Sequence, residues 1–328
     1  MNEYPEETKK TEQPKIAHHV HQIEHDRAGQ RLDNYLIAKT KLPKSLIYNL
    51  LRRGKIRVNT TKQEPSYRLE EKDRLSIPLQ YISDQNKAPA PKEFKQTQIA
   101  WLDDIVFQEN EHFMIINKPS GLASHGGSGH AFGLIELLRQ RRPNQTLELV
   151  HRLDRETSGL MIIAKKRSAL RALNELFAQR EMTKTYLTIL SGGCRRKEVI
   201  DAPLGISRQN GIRKAVVDLR EGVSAQTAFI PLSRHLGKSL CLVLPETGRM
   251  HQIRAHAASM NLPIRGDDLY QGEVAERLYL HSARLKFTYL DQEWVFEQAP
   301  PDFWEEEFFN GWDLWKTINK HMSLQQPF

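Results

Sequence analysis

The net charge of this 328-residue chain is concentrated in one short stretch. Residues 27–78 hold 13 Lys and Arg against 5 Asp and Glu, whereas the rest of the chain holds 35 of each, so the whole formal charge of +8 lies in that stretch. The segment 81–98, which follows it, is polar and contains two prolines, as linkers do. This pattern predicts a small basic domain joined to a larger, electrically balanced one.

The remaining boundaries follow from composition. Residues 1–25 are polar and charged, which predicts a disordered tail, and the histidines within it are expected to be solvated because no Cys or acidic cluster accompanies them. We expect the small domain at 26–80, the linker at 81–98, the large domain at 99–311 and a C-terminal tail at 312–328.

The basic domain is predicted to contain a helix opened by Pro43 and followed by a short strand at 55–59. Arg52, Arg53, Lys55 and Arg57 cluster where the helix ends and the strand begins. A localised basic patch is typical of nucleic-acid binding, although a solvated basic face with no partner gives the same pattern.

Other classes of protein are disfavoured. No apolar stretch is long enough to span a bilayer, and the N-terminus lacks the apolar core of a secretory signal. The two cysteines, Cys194 and Cys241, have no disulfide or zinc spacing, which favours a cytoplasmic protein. The glycine-rich stretch 126–133 fails the spacing of dinucleotide and P-loop motifs, so we expect no cofactor and no metal.

The large domain has more predicted strands than helices, and the two do not alternate strictly, which favours an α+β fold. Helices are expected at 133–141, at 168–180 with Ser168 as its cap, and at 250–260. Strands are expected at 112–117, 160–164, 185–190, 240–244, 280–287 and 294–298.

The run 151–160, HRLDRETSGL, places a single carboxylate, Asp154, between Arg152 and Arg155. A nearby opposite charge favours the ionised form of a carboxylate, and an ionised acid suits a nucleophile better than a proton donor. A purely structural ion pair is the alternative. A second basic block, 248–256, predicts His251 and Arg254 on one helical face, and a partly buried arginine there needs an acidic partner.

Together these motifs resemble those of the RluA-type pseudouridine synthases. The run 151–159 is similar to the family's catalytic signature, and further similar blocks follow in the expected order at 117–121, 184–186, 248–254, 266–267 and 280–283. Residues 27–33 and 54–59 resemble an S4 RNA-binding domain, although Lys72-Asp73 stands where that pattern usually has Gly-Asp. Three shorter blocks resemble the C-type synthases of large-subunit ribosomal RNA: 124–129, 149–151 and 164–170.

The resemblance implies a mixed, mostly antiparallel sheet with flanking helices and a central active-site cleft, plus a small α/β S4 domain. It implies isomerisation of specific uridines to pseudouridine in large-subunit (23S) ribosomal RNA or its assembly precursor, without an obligatory protein partner. Asp154 would be the nucleophile, Tyr186 a base or proton relay, and Arg254 the partner that orients Asp154. The residues expected to bind RNA are Arg152, which would fill the place of the flipped uridine, and His151, Arg52, Arg53, Lys55, Arg57, Arg249 and His251.

The sequence leaves three alternatives open. The same chemistry could act on tRNA or on another ribosomal RNA site. The chain could be a catalytically inactive RNA-binding protein on the same fold, or a carboxylate-dependent hydrolase of nucleosides or glycosides. Whether Asp154 attacks the sugar or promotes a glycal intermediate is also open.

Overall fold

The computed structural model describes residues 17–24, 27–40, 42–82, 94–126, 132–209 and 211–304. The chain forms two compact units, with the division between residues 93 and 94. The predicted C-terminal tail and most of the predicted N-terminal tail lie outside the described residues, as do residues 127–131 of the glycine-rich stretch. Within the described ranges, no helix combines the length and apolar character needed to cross a bilayer.

The N-terminal unit packs two helices against a three-stranded antiparallel sheet of order β1-β3-β2. Ile47, Leu50 and Leu51 form the buried face of the second helix, which is the helix that the apolar spacing after Pro43 predicts. Its elements are β1 His18–Gln22, α1 Leu32–Thr40, α2 Lys44–Arg52, β2 Arg57–Val58 and β3 Arg74–Pro78.

The prediction of a disordered tail through residue 25 is wrong for β1. This strand pairs along its full length with β3, from His18 opposite Pro78 to Gln22 opposite Arg74. Its side chains are almost all exposed, including Val20 at 50%. The strand is therefore held by backbone hydrogen bonds to β3, and its sequence carries no apolar alternation that could have revealed it.

The C-terminal unit is built on a ten-stranded sheet with the path β4-β5-β7-β14-β8-β13-β12-β9 and with β15 and β6 on β14 and β7. All pairs are antiparallel except β7 with β14, so the sheet is mixed and mostly antiparallel, and the predicted α+β class is confirmed. Its strands are β4 Val106–Glu109, β5 Phe113–Lys118, β6 Glu148–Leu149, β7 Ser158–Ala164, β8 Thr183–Ser191, β9 Glu198–Asp201, β10 Leu204–Gln209, β11 Ile212–Val217, β12 Gln226–His235, β13 Lys238–Pro245, β14 Leu280–Tyr289 and β15 Gln292–Glu297, of which β10 and β11 form a separate hairpin. Its helices are α3 Leu134–Arg141, α4 Arg167–Ala178 and α5 Gln252–Ser259.

Side chains on the central strands point alternately to the two faces of the sheet and pack into a separate hydrophobic core on each face. On β5, Met114 and Ile116 belong to the core that contains residues of α3 and α5, whereas Phe113 and Ile115 belong to the core that contains residues of α4. This period of two is the geometric consequence of an extended strand with both faces covered. The helices thus lie on both sides of the sheet, as expected for the predicted fold.

Three local predictions need correction. Gln96–Leu102 forms a 3-10 helix, and the amide of Phe94 donates to Gln140 at 3.1 Å, so residues 94–98 belong to the C-terminal unit rather than to a linker. The N-cap of α4 is Lys166, without a side-chain hydrogen bond, and not Ser168. His251 precedes α5 in a left-handed conformation, so it does not share a helical face with Arg254.

Candidate active site

A cavity of about 340 Å³ opens beside the loop between β6 and β7. That loop supplies one wall, β8 supplies a second, and the segment from the end of β13 into α5 supplies a third. Every site residue that the sequence predicts in the large domain lines this cavity: Asp154, Tyr186, Arg254, Arg152, His151, Arg249 and His251. A volume of this size suits a small organic group such as a nucleoside.

The loop that carries Asp154 is held in place by hydrogen bonds from buried polar side chains to its backbone. The Ser124 hydroxyl donates to the carbonyl of Leu153 at 2.7 Å and accepts from the Leu153 amide at 3.1 Å. The fully buried ammonium of Lys118 donates to three carbonyls, among them that of Arg155 at 3.1 Å. Burial lowers the pKa of Lys118 to about 7, against the opposing effect of the nearby Glu156 and Asp154 carboxylates. The loop is therefore held rigidly where it presents Asp154.

The small residues after Asp154 allow β7 to approach β14 closely. Gly159 has a φ of +107°, and a Cβ atom there would lie 2.3 Å from the carbonyl oxygen of Ser282. This contact belongs to the parallel pairing of β7 with β14, where His281 lies opposite Ser158. Any side chain at position 159 would collide with this neighbouring strand, so glycine is required there.

Arg254 is the guanidinium that meets Asp154. Its Nη1 lies 3.2 Å from Asp154 Oδ2, while Nε and Nη2 each donate to Asp267 at 2.8 Å. The side chain of Asp154 is 28% exposed, that of Arg254 9% and that of Asp267 0%. The pKa of Arg254 is raised because the two carboxylates outweigh burial, so this cation stays charged. The sequence resemblance includes Gly266-Asp267 as a block but assigns no role to its aspartate.

The adjacent arginines point elsewhere. Arg155 forms an ion pair with Glu156 at 2.5 Å, and Arg152 is exposed with its Nη1 3.3 Å from Nε2 of His125. His251 approaches Asp154 no closer than 3.9 Å, and burial lowers its pKa, although Asp154 opposes that effect. The charge that balances Asp154 at hydrogen-bond distance is therefore that of Arg254.

Tyr186 is buried in the wall that β8 forms. Burial and the negative charge of Asp154 both raise the pKa of its phenol, which therefore stays protonated at neutral pH. Lys184 lies two residues earlier on the same face of the strand. Burial lowers the pKa of Lys184 to about 8, and its ammonium lies 5.6 Å from the centroid of the Phe177 ring. Sequence reasoning missed both Lys184 and Phe177 as cavity residues, although the i, i+2 spacing from Tyr186 could have indicated Lys184.

His151 is engaged by the protein itself. Its Nε2 accepts the backbone N–H of Ile162 at 3.0 Å, and its ring lies against that of Phe177 with 5.0 Å between centroids. Burial lowers the pKa of His151 to about 3, so the ring is neutral. His151 thus contributes shape and an aromatic face to the cavity, not positive charge.

The basic residues predicted in the small domain lie in the N-terminal unit. Arg52, Arg53, Lys55 and Arg57 are all exposed around the end of α2 and the start of β2. Arg57 also donates to the carbonyls of Gly54 at 3.0 Å and Thr60 at 3.2 Å, so it supports the turn as well. In the described part of the chain, no three His, Cys, Asp or Glu side chains come together as a metal site.

A mixed sheet with one aspartate in its cleft, paired to an arginine from a distant helix, is the arrangement of the pseudouridine synthases. The model of the RNA pseudouridylate synthase family matches residues 112–259. The chain is 40% identical over 293 residues to ribosomal large subunit pseudouridine synthase C of Haemophilus ducreyi, covering 85% of this chain and 91% of that protein. It is 40% identical over 294 residues, with the same coverage, to the protein of that name from Escherichia coli strain K12. The chain belongs to the RNA pseudouridine synthase family.

Solved structures show the same fold. Human RNA pseudouridylate synthase domain containing 4 matches 71% of this chain and 98% of its own with a TM-score of 0.53 at 23% identity. Human RNA pseudouridylate synthase domain containing 1 matches 68% of this chain and 96% of its own with a TM-score of 0.55 at 21% identity. These likenesses concern the fold alone.

Proposed function

We propose that this enzyme converts specific uridines of large-subunit ribosomal RNA to pseudouridine, with Asp154 as the nucleophile. The observation that carries the proposal is the Asp154 carboxylate in the cavity wall, held on Oδ2 by Arg254 at 3.2 Å. The choice of RNA is supported by relatives named ribosomal large subunit pseudouridine synthase C, which the chain matches over 85% of its length. Such a substrate implies the cytoplasmic location that the sequence predicts.

The reaction is an isomerisation, in which the bond from N1 of uracil to C1′ of ribose breaks and a bond from C5 to C1′ forms. The proton on C5 is lost and N1 gains one, so nothing is oxidised and no water is consumed. One carboxylate suffices for this chemistry, whereas glycoside hydrolysis uses a second acid across the bond. Asp154 is the only carboxylate among the described residues that line the cavity, which disfavours the hydrolase alternative.

Tyr186 fits a proton relay better than a free base. Its phenol is protonated in the resting site because burial and Asp154 raise its pKa. It can accept the C5 proton only as its own hydroxyl proton leaves, and the carboxylate of Asp154, released when C5 bonds to the sugar, is the acceptor. Asp154 then gives up this proton, N1 gains one through solvent, and the carboxylate is restored. The relay therefore couples to the last step rather than to the first.

A uridine stacked in RNA must leave its stack to reach Asp154 in the cavity wall, at a cost of roughly a few kcal/mol. Arg152 is exposed at the mouth and is the residue that we place in the vacated base position. Phe177 and His151 offer ring faces to the extruded uracil. We place the phosphate contacts of an S4 RNA-binding domain on the exposed cluster Arg52–Arg57 of the N-terminal unit.

The experiment treats unmodified transcripts of large-subunit ribosomal RNA, small-subunit ribosomal RNA and tRNA with the wild-type enzyme and maps the pseudouridines. The proposal expects product in the large-subunit transcript, loss of at least a thousandfold in rate for Asp154→Asn, and no loss for the exposed control Asp104→Asn. Product in tRNA alone would overturn the substrate, and equal product with Asp154→Asn would overturn the nucleophile. No product in any RNA would favour an inactive RNA-binding protein.

A further inference from the structure

We infer that Asp267 is a positioning residue for catalysis: it holds two nitrogens of the Arg254 guanidinium, so that Asp154 receives one hydrogen bond and keeps its second oxygen free. The inference rests on the proposed role of Asp154 as nucleophile. It gives a task to a buried carboxylate that does not line the cavity and that the reaction itself does not use.

The geometry divides the guanidinium into two edges. Asp267 takes the edge made of Nε and Nη2 with two hydrogen bonds of 2.8 Å, Nε to Oδ2 and Nη2 to Oδ1. This fork-to-fork arrangement is the most directional ion pair that an arginine makes. The hydrogens on Nη1 and the second hydrogen of Nη2 remain. Of these two nitrogens Nη1 is the one that faces Asp154, and it reaches Oδ2 at 3.2 Å. Within the described chain, Oδ1 of Asp154 accepts no hydrogen bond, so it is the oxygen available for attack.

The segment that carries Asp267 is built to hold it still. Gly266 has a φ of +74°, and a Cβ atom there would lie 1.8 Å from the carbonyl oxygen of Arg277. The amide of Asp267 donates to Ile264 at 3.1 Å, and its carbonyl accepts from Gly272 at 2.9 Å. A side chain at Gly266 would push this tight turn apart, so the glycine is required for the position of the carboxylate.

Tyr270, in the same segment, fixes the plane of the guanidinium. Its ring centroid lies 5.3 Å from the guanidinium carbon of Arg254, and its hydroxyl donates to the carbonyl of Ala215 at 2.8 Å. The orientation of the Arg254 guanidinium is therefore restricted by the Asp267 carboxylate at one edge and by the Tyr270 ring over its face.

Without Asp267, the guanidinium of Arg254 would not be held in one orientation. It could then turn so that two of its N–H groups each donate to one oxygen of the Asp154 carboxylate. A nucleophile held in that way reacts more slowly, because its lone pairs are occupied before the sugar arrives. RNA binding is unaffected by this change, since Asp267 lies outside the cavity.

The test compares Asp267→Asn and Asp267→Glu with Asp268→Asn, a control that removes the same charge from the exposed neighbouring residue. Single-turnover conversion is measured with excess enzyme on the large-subunit transcript, and the dissociation constant for that RNA is measured separately. We expect Asp267→Asn to slow conversion at least thirtyfold with RNA affinity within twofold, Asp267→Glu to recover part of the rate, and the control to match wild type. A rate for Asp267→Asn within threefold of wild type, or an equal loss in the control, would overturn the inference.

A second measurement needs no RNA and so separates this inference from the proposed function. Arg254→Met leaves Asp267 as a buried charge without its cation, which destabilises the unit. Adding Asp267→Asn to that variant should raise its melting temperature, whereas the same substitution in the wild-type protein should lower it. If Asp267→Asn lowered the melting temperature equally in both backgrounds, Asp267 would act independently of Arg254, and the inference would be wrong.

Discussion

The guanidinium of Arg254 lies 3.2 Å from the carboxylate of Asp154, although 100 residues separate the two in the chain. The arginines next to Asp154 in sequence are directed instead toward Glu156 and His125. The charge environment of Asp154 is therefore created by packing α5 against the loop before β7, and Arg152 does not contribute to it at hydrogen-bond distance.

Arg152→Ala is expected to lower turnover on structured RNA by 10- to 100-fold while the protein stays folded. The physical reason is that extruding a stacked base costs roughly a few kcal/mol, part of which a side chain in the gap offsets. The loss should be smaller on an RNA in which the target uridine is already unpaired. Parallel rate measurements with Arg155→Ala, three residues away and paired with Glu156, supply the control. Equal losses on paired and unpaired targets would contradict a role in base extrusion.

The sequence identified the residues that line the cavity better than it identified the residues that hold them in place. Residues such as Asp154, Tyr186 and Arg254 carry distinctive side chains in distinctive runs, and the structure brings them together at one cavity. Asp267 could not be assigned a role because its partner is reached only through the fold. Lys118 likewise looks like an ordinary strand residue until three carbonyls are seen around its ammonium.

Local geometry accounts for the errors. The strand His18–Gln22 is exposed almost throughout, so no alternation of apolar residues marks it. His251 has a φ of +50°, a conformation uncommon outside glycine, so α5 begins at Gln252 and not at residue 250 as the sequence predicts. For β1, backbone pairing with the distant strand β3 outweighs the local pattern.

The triple variant Arg52→Gln, Arg53→Gln and Lys55→Gln is expected to weaken RNA binding and to flatten its salt dependence. Each lost phosphate contact lowers the slope of log K against log salt by about 0.7 to 0.9, so three contacts lower it by roughly 2 to 3. Arg57 is left in place because it also supports the turn at Gly54 and Thr60. Titrations of RNA binding at several salt concentrations check this, with the rate at saturating RNA expected to stay unchanged.

The matched control for that variant lies in the other unit. Arg195, Arg196 and Lys197 are consecutive and exposed, so changing all three to glutamine removes the same charge elsewhere. The control is expected to leave the salt slope within about 0.5 of wild type. A decrease equal to that of the first variant would mean that net charge alone, and not the surface of the N-terminal unit, governs binding.

His281 is expected to make the stability of the C-terminal unit fall in acid. Its Nδ1 accepts from Ser158 at 2.9 Å and its Nε2 donates to Gln298 at 3.2 Å, and burial lowers its pKa to about 4. Between pH 6.5 and 4 the unfolded chain binds a proton that the folded one excludes, so the free energy of unfolding falls as pH falls, by up to about 3 kcal/mol. Urea unfolding followed by tryptophan fluorescence reports on this unit, because all five tryptophans follow residue 100. His281→Gln should make the curve less steep over that range without flattening it, because the buried His151 keeps its own lowered pKa, and the exposed control His235→Gln should leave the slope unchanged.

Lys72→Gly is expected to stabilise the N-terminal unit by roughly 0.5 to 1 kcal/mol. Lys72 has a φ of +69°, a left-handed conformation that a side chain disfavours, and it stands where the S4 pattern usually has glycine. The turn is nevertheless retained because Asp73 beside it is buried and accepts hydrogen bonds from Asn59 at 2.6 Å, Tyr67 at 3.1 Å and the Glu70 amide at 2.8 Å. Slower amide hydrogen exchange in peptides spanning 57–78 of the full chain is the measurement. Lys72→Ala, which removes the charge but keeps the Cβ atom, should give no such protection; equal protection in both variants would assign the effect to charge instead of backbone conformation.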